Sequence, residues 1–358
     1  MSSIFGNRIR TTVFGESHGE AIGVVVEGLP AGEKIDFEEL QKFLQRRAPG
    51  RNLYTTQRRE ADVPEFLSGV KDSIILGSPL AAIIRNKGYN SRDYNELKDV
   101  PRPSHADYTA HVKYKGHMDM RGGGPFSGRL TAPLCIAGGI AIQILKKRGV
   151  HIGAHILRMG NISDAEWDNA SVTADELYAI SNKDFPVISD KKSNEMIDLI
   201  NKLKEDGDSV GGIIECMSIG IPAGIGGLGS SSVESSISSA MFSVPGIRGI
   251  EFGAGFKAAE MHGSEHNDQF EIKDGLIKTI TNNAGGVNGG ITNGMPLSFK
   301  VAVKPTSSIA KPQKSFSLSE LTEKELLISG RHDPCIAVRA VPVIEAVCAL
   351  VLLDLWEE

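Results

Sequence analysis

The chain has few cysteines, and none of them are paired in metal-ligand spacing. Cys135, Cys216, Cys335 and Cys348 are scattered through 358 residues with no CxxC. That argues against a structural zinc site and a disulfide framework, and points to reduced thiols. No charge sign dominates: a net charge of −5 gives no reason to expect nucleic acid as a partner. Apolar runs are short. Pro133–Leu145 and Cys348–Leu353 both fall below the roughly 20 residues a membrane span needs. The opening MSSIFGNRIRTTVFGESHG has no apolar signal core, so a cytoplasmic protein is expected. No HxH or HExxH occurs either, which weakens any reading as a metal-dependent hydrolase with His and Asp ligands.

Glycine is in excess, with 40 residues or about 11% of the chain against an average near 7%. Much of it clusters in RGGG (Arg121–Gly124), IPAGIGGLG (Ile221–Gly229) and AGGVNGGITNG (Ala284–Gly294). Such backbone can turn tightly or come close to a ligand. Charge is also unevenly placed. Between Leu40 and Arg59 stand six basic residues and no acid, in a protein that is acidic overall. Either that stretch is a solvated basic face, or it meets a small, highly anionic ligand.

Periodicity outlines the elements. IDFEELQKFLQRR reads as a helix with Asp36 as N-cap, Glu39 completing a capping box, and Phe37, Leu40 and Leu44 on one face. TADELYAI repeats the device with Thr173 and Glu176, while SNEMIDLINKLKEDG and SSVESSISSAMFSVPG are amphipathic. PLCIAGGIAIQILKKRG is apolar nearly all round and therefore predicts a buried helix. AIGVVVEGL, SIILGSPLAAII, GGIIECMSIGI and PLSFKVAVK read as strands.

The two halves echo each other in order: GLPAG with GIPAG, APGR with VPGIR, GSPLAAII with GMPLSFKV, and GRLTAPLCIA with GRHDPCIAV. An internal duplication of strand–helix–strand units would give two sheets with helices between them, and would set corresponding loops around a shared cleft.

Three histidines sit in sharply punctuated segments: His18 in FGESHG, His105 in RPSHAD, and His332 beside Asp333 in GRHDPC. Histidine titrates near neutrality, so it can give a proton to a departing anion. Cys335 is a poor nucleophile, because the neighbouring Asp333 disfavours a thiolate. KPTSSI (Lys304–Ile309) follows a strand and offers an ammonium, three hydroxyls and turn amides, which suit a phosphate.

Taken in order, FGESHG, RRAPGR…TTQRRE, SGV, RPSHADYT, RGGG, AGGVNGGITNG, KPTSSI and GRHDPCIAVRAVPV closely resemble the chorismate synthase family. The likeness runs to beyond Glu345, and residues 152–209 contribute least. The resemblance implies an α+β fold, with duplicated β-α-β units forming a sandwich of two sheets around central helices. It further implies one domain over residues 1–358, the repeats covering about 1–150 and 210–358.

The activity implied is elimination of phosphate from 5-enolpyruvylshikimate 3-phosphate, with loss of a ring proton, in the presence of reduced FMN and with no net redox change. A homotetramer supplied by an external flavin reductant is expected. Within that resemblance His18 protonates the leaving phosphate. His105 protonates reduced flavin or holds its pyrimidine edge, and Asp333 takes the proton from flavin N5. Flavin contacts carried over are Ser127, Gly246, Gly289, Lys304, Thr306, Ser307, Ser308 and Arg331; Arg47, Arg51, Arg59, Arg129, Arg331 and Arg339 are the candidates to hold the substrate's carboxylates and phosphate.

This chain departs from the family in three places. Leu53 stands where arginine is common, so Arg51 is expected to substitute for it. Pro125-Phe126-Ser127 replaces Arg-Ser-Ser. Ser104 replaces a frequent glycine, a tolerable change if the backbone there does not need positive φ.

Overall fold

The computed structural model describes residues 4–50, 62–86, 99–273, 275–328 and 333–357. Arg51, Leu53, Arg59, Arg331 and His332 lie outside the described residues.

The first half begins with strands β1 (Ile4–Phe5), β2 (Arg10–Gly15) and β3 (Ala21–Glu27). Helix α1 (Phe37–Arg47) follows, and Asp36 accepts hydrogen bonds from the Glu38 and Glu39 amides at its start. Leu40 and Leu44 are buried as their spacing predicts. Glu39 does not complete a capping box. Its carboxylate accepts from Lys146 Nζ at 2.8 Å, and the Asp36 amide donates instead to Gln143 Oε1 at 2.8 Å. Strands β4 (Glu65–Ser68), β5 (Val70–Lys71), β6 (Ile74–Ile75) and β7 (Leu80–Arg85) lead to α2 (Asp107–Lys113) and α3 (Thr131–Lys147). The first sheet has the order β1-β2-β3-β7-β4, with every pairing antiparallel.

The second half carries β8 (His151–Met159), β9 (Ile162–Ser163), α4 (Ala174–Ser181), α5 (Asp190–Glu205), β10 (Gly212–Ile219), α6 (Val233–Phe242) and β11 (Ile247–Phe252). The capping box at Thr173 and Glu176 forms at the start of α4. Next come α7 (Gly263–His266), the hairpins β12 (Phe270–Lys273) with β13 (Leu276–Thr279) and β14 (Val287–Asn288) with β15 (Ile291–Thr292), and strand β16 (Leu297–Val303). Hairpin β17 (Gln313–Phe316) with β18 (Glu323–Leu326) and the long helix α8 (Ala337–Trp356) complete the chain. The second sheet, also antiparallel throughout, has the order β11-β16-β10-β8-β9.

The order β2-β3-β7-β4 in one sheet matches β8-β10-β16-β11 in the other. The chain makes a helix at the same two points in each, α1 and α6 and then α3 and α8. GLPAG and GIPAG follow equivalent strands, and GSPLAAII and GMPLSFKV form equivalent strands.

Helices α3 and α8 pack against each other; α3 touches β2, β3 and β7 as well as β8, and α8 touches β8 and β10. Gly138 permits this approach, because a Cβ there would lie 2.3 Å from Ala346 Cβ. With its preceding turn, α3 spans Gly128–Lys147, which is long and apolar enough to cross a membrane by length and composition, contrary to the short run expected. Most of it is buried inside the fold, and it serves as a core helix. In α8 the carboxylate of Glu345 is buried but paired with Arg46 and with the Ala154 amide at 3.0 Å. Asp354 of α8 accepts from the Asn7, Arg8 and Ile9 amides, tying the N-terminal loop to the C-terminal helix.

Candidate active site

Loops from both halves line one cavity of about 1600 Å³. The first half contributes Ser17, Arg47, His105, Ser127 and Arg129; the second contributes Gly246, Lys304–Ser308, Asp333 and Arg339. Gly289 is not on its wall and sits exposed in the turn between β14 and β15.

His105 stands just before α2 and is held by its own segment. Its Nδ1 is 2.6 Å from Asp107 Oδ1. Arg102 donates to the same carboxylate through Nε at 2.7 Å and Nη2 at 2.8 Å, and through Nη1 to Ser308 Oγ at 3.2 Å. The segment is docked from outside by β17 and its turn: Asp99 accepts from Ser317 Oγ at 2.6 Å, and the rings of Tyr108 and Phe316 meet edge to face at 5.6 Å. Ser104 adopts φ +59°. The condition for a costless replacement of glycine is therefore not met, since an L-residue in the left-handed region costs about 1–2 kcal/mol. The conformation turns the Ser104 carbonyl toward Lys304 Nζ and toward Ser307 Oγ, the latter at 3.0 Å.

His18 lies in the loop between β2 and β3, 1% exposed. It stands behind the wall formed by Ser17 and Gly122 and does not itself line the cavity. The glycine run explains how both imidazoles fit. Gly122, Gly123 and Gly124 all have positive φ. A Cβ on Gly122 would fall 2.1 Å from His18 Cε1 and Nδ1, and one on Gly123 would fall 3.3 Å from His105 Cε1 and Nε2. Gly15–Gly19 has the letters of a nucleophile elbow, but it joins two antiparallel strands instead of a strand to a helix, so Ser17 is not presented as a nucleophile.

The arginines are not bare cations. Asp62, 2% exposed, bridges Arg47 and Arg129: Arg47 Nε donates to Oδ2 at 2.9 Å, and Arg129 Nη1 donates to Oδ1. Burial pushes the Asp62 carboxyl up, but the two guanidiniums outweigh it and hold the pKa below the usual carboxylate value. Arg339 donates to Asp333 Oδ2 at 2.6 Å and to the Arg47 carbonyl at 2.9 Å.

At the far wall, burial and the neighbouring Arg248 and Arg102 lower the pKa of Lys304. Thr306 Oγ1 donates to the Asp333 carbonyl at 3.1 Å, and the Lys304 amide donates to the Gly246 carbonyl at 2.9 Å. Ser127 Oγ accepts from the Arg129 amide at 3.3 Å. Cys335 is 2% exposed, and burial pushes its thiol up to about 12. That agrees with its reading as an inert residue. Among the described residues no three His, Cys, Asp or Glu side chains are grouped to hold a metal.

Sequence reasoning did not assign roles to Arg102, Asp107, Asp62 or Arg248. The first two lay inside RPSHAD and the last in VPGIR, so the motifs marked their segments without revealing the partners.

The sequence profile of the chorismate synthase family matches residues 9–356. A chorismate synthase of Lancefieldella parvula is 44% identical, covering 99% of this chain and 96% of that protein. One from Pyrococcus abyssi is 45% identical, covering 98% and 96%. A solved structure described as the crystal structure of chorismate synthase superposes with a TM-score of 0.76 at 27% identity, covering 98% of this chain and 92% of that one. The chain belongs to the chorismate synthase family.

Proposed function

We propose that the protein is a carbon–oxygen lyase that eliminates phosphate from 5-enolpyruvylshikimate 3-phosphate to give chorismate, with reduced FMN bound beside the substrate. The observation that carries the assignment is the meeting, in one cavity, of His105, the anion-directed Arg129, Arg339 and Lys304, and the hydroxyls of Thr306 to Ser308. At about 1600 Å³ the space exceeds the roughly 300–1,000 Å³ of a single small-ligand pocket, as two ligands side by side require. Its chemistry also fits a flavin. Phe126, Phe242 and Ile336 give apolar wall, the Gly246 backbone is bare at φ +94°, and the Lys304–Ser308 loop offers donors for a phosphate or a ring edge.

When bound, reduced FMN supplies electron density that eases loss of the allylic phosphate. The protein neutralises two carboxylates and a phosphate with Arg47, Arg129 and Arg339, joined by Arg51 and Arg331 by resemblance. Asp62 and Asp333 keep the described guanidiniums charged and oriented until anions arrive. His18 gives a proton to the departing phosphate by resemblance, and only the Ser17 and Gly122 wall separates it from the cavity. His105 holds or gives a proton through Nε2, and Asp333 is the proton acceptor of the set. Ser127 and Gly246 belong to the flavin contacts; the exposed position of Gly289 gives that assignment no support from within one chain.

We further infer an internal duplication within one domain and a two-sheet sandwich around α3 and α8, supported by the matched strand orders. A cytoplasmic homotetramer supplied by an external flavin reductant completes the reading. The exposed apolar residues Phe270, Ile272, Leu276 and Ile277 on the β12–β13 hairpin favour assembly.

The test is anaerobic phosphate release from the enolpyruvyl substrate with and without reduced FMN. Release that needs the reduced flavin is expected, and equal release with all flavin removed would overturn the assignment. His18→Ala and His105→Ala should each lower turnover about 10²–10⁴-fold. A variant within about threefold of the parent would remove that residue from the mechanism.

A further inference from the structure

We propose that Asp107 is a positioning residue for His105: its carboxylate fixes the imidazole proton on Nδ1 and so presents Nε2 to the cavity. The inference deepens the reading of His105 as a proton-handling residue and rests on it.

The geometry leaves one arrangement of protons. Asp107 Oδ2 accepts from Arg102 Nε at 2.7 Å and from the Arg102 amide at 3.0 Å, while Oδ1 accepts from Arg102 Nη2 at 2.8 Å. A carboxylate holding three N–H donors is ionised. Burial pushes its pKa up, but the bonds from Arg102 and His105 outweigh that and hold it far below the usual carboxylate value. An ionised oxygen 2.6 Å from His105 Nδ1 would repel a bare nitrogen lone pair, so Nδ1 carries hydrogen. Arg102 Nη2 lies 3.1 Å from the same Nδ1. Both atoms are donors aimed at Oδ1, and their contact is not a hydrogen bond.

With Nδ1 engaged, Nε2 is the ring atom left for chemistry. It lies on the side of Gly123, where even a methyl group would stand only 3.3 Å away. Among the described residues, three other charged or titratable groups stand near the ring. Arg102 sits on its own segment, Lys304 reaches in through the Ser104 carbonyl, and His18 stands across the glycine run. Asp107 is thus the carboxylate that holds the ring by its Nδ1 hydrogen.

A merely structural rival exists, because Asp107 is also the first residue of α2 and pins the Arg102 loop. Turnover on the enolpyruvyl phosphate with reduced FMN separates the two. Asp107→Asn should lower kcat about 10–100-fold with KM within about threefold. The double variant with His105→Ala should be no slower than His105→Ala alone. Multiplying effects, or an Asp107→Asn kcat within about threefold of the parent, would overturn the proposal.

If His105→Ala alone keeps full activity, the mechanistic reading of His105 fails, and the proton location is judged separately. Wild-type protein labelled with ¹⁵N-histidine should give a His105 resonance, identified by its loss in His105→Gln, that carries hydrogen on Nδ1. A bare Nδ1 there would refute the inference, and this measurement stands even if Asp107→Asn does not fold.

Discussion

Asp62→Asn removes a carboxylate that Arg47 and Arg129 share. Both Asp62 and Arg47 are almost fully enclosed, at 2% and 1% exposure. The change leaves guanidinium charge that was desolvated in order to be paired. For Arg47 the next contact among the described residues is long, Nη1 to Thr131 Oγ1 at 3.5 Å. Breaking a buried pair from one side costs about 3–5 kcal/mol. For a chain of 358 residues, about 2.1 cal/mol/K per residue gives an unfolding entropy near 0.75 kcal/mol/K, so the melting temperature should fall by about 4–7 °C at neutral pH.

The deficit depends on acid in a defined direction. Folding lowers the pKa of Asp62, so its contribution is complete above the unfolded carboxylate value near 3.9 and is lost as pH falls through the folded one. The gap between parent and variant should therefore close below about pH 4. Added phosphate should narrow the gap at pH 7, because an anion can occupy the vacated place between the arginines. Scanning calorimetry over pH, with and without phosphate, makes the measurement. Melting temperatures equal within about 1 °C at neutral pH, or a gap that persists undiminished into acid, would refute the reasoning.

Gly122→Ala places a methyl group 2.1 Å from the His18 ring on a backbone at φ +62°, so kcat should fall about 10²-fold or more while flavin binding, followed by fluorescence, is kept. Cys335→Ala should keep activity within about twofold, and with its thiol pushed to about 12 Cys335 of the native parent should resist iodoacetamide at pH 8 in a peptide-mapping experiment. Ser104→Gly should match the parent in turnover and be more stable by up to about 1 kcal/mol, since glycine meets φ +59° without strain, whereas Ser104→Val should lose about 1–3 kcal/mol in denaturant unfolding.

The helices α1, α3, α4, α5 and α6 and the strands β3, β7, β10 and β16 were legible because each had a period or a punctuated β-branched run. Helix α8 was not read from the sequence. It is buried nearly all round, contains Pro342, and has no side-chain cap at its start, so none of the usual signals marks it. In the site, residue types were legible and pairings were not. Arg46 meets Glu345 and Arg339 meets the Arg47 carbonyl across separations of 299 and 292 residues, which no local pattern encodes. Asp62 drew no notice as one acid among 44 acidic residues. Only its place between two guanidiniums gives it meaning.

The matched strand order explains why these distant segments converge. The end of α1 supplies Arg47, and the equivalent end of α6 leads into Gly246 and Arg248. The turn into α3 supplies Ser127 and Arg129, and the turn into α8 supplies Asp333, with Arg339 in its first turn. The segment after β7 reaches His105, while the segment after the equivalent β16 is Lys304–Ser308. These last two touch directly, since the Ser104 carbonyl accepts from Lys304 and Ser307.

Equivalent loops thus meet across one cavity but carry different chemistry. Among the described residues the first half brings the imidazoles and most of the arginine, and the second brings lysine, hydroxyls and the Asp333 carboxylate. A site assembled from two identical halves would duplicate its acids and bases. On the proposed reading, loops that differ between two matched sheets let a proton donor face a proton acceptor, which is the asymmetry that an elimination needs.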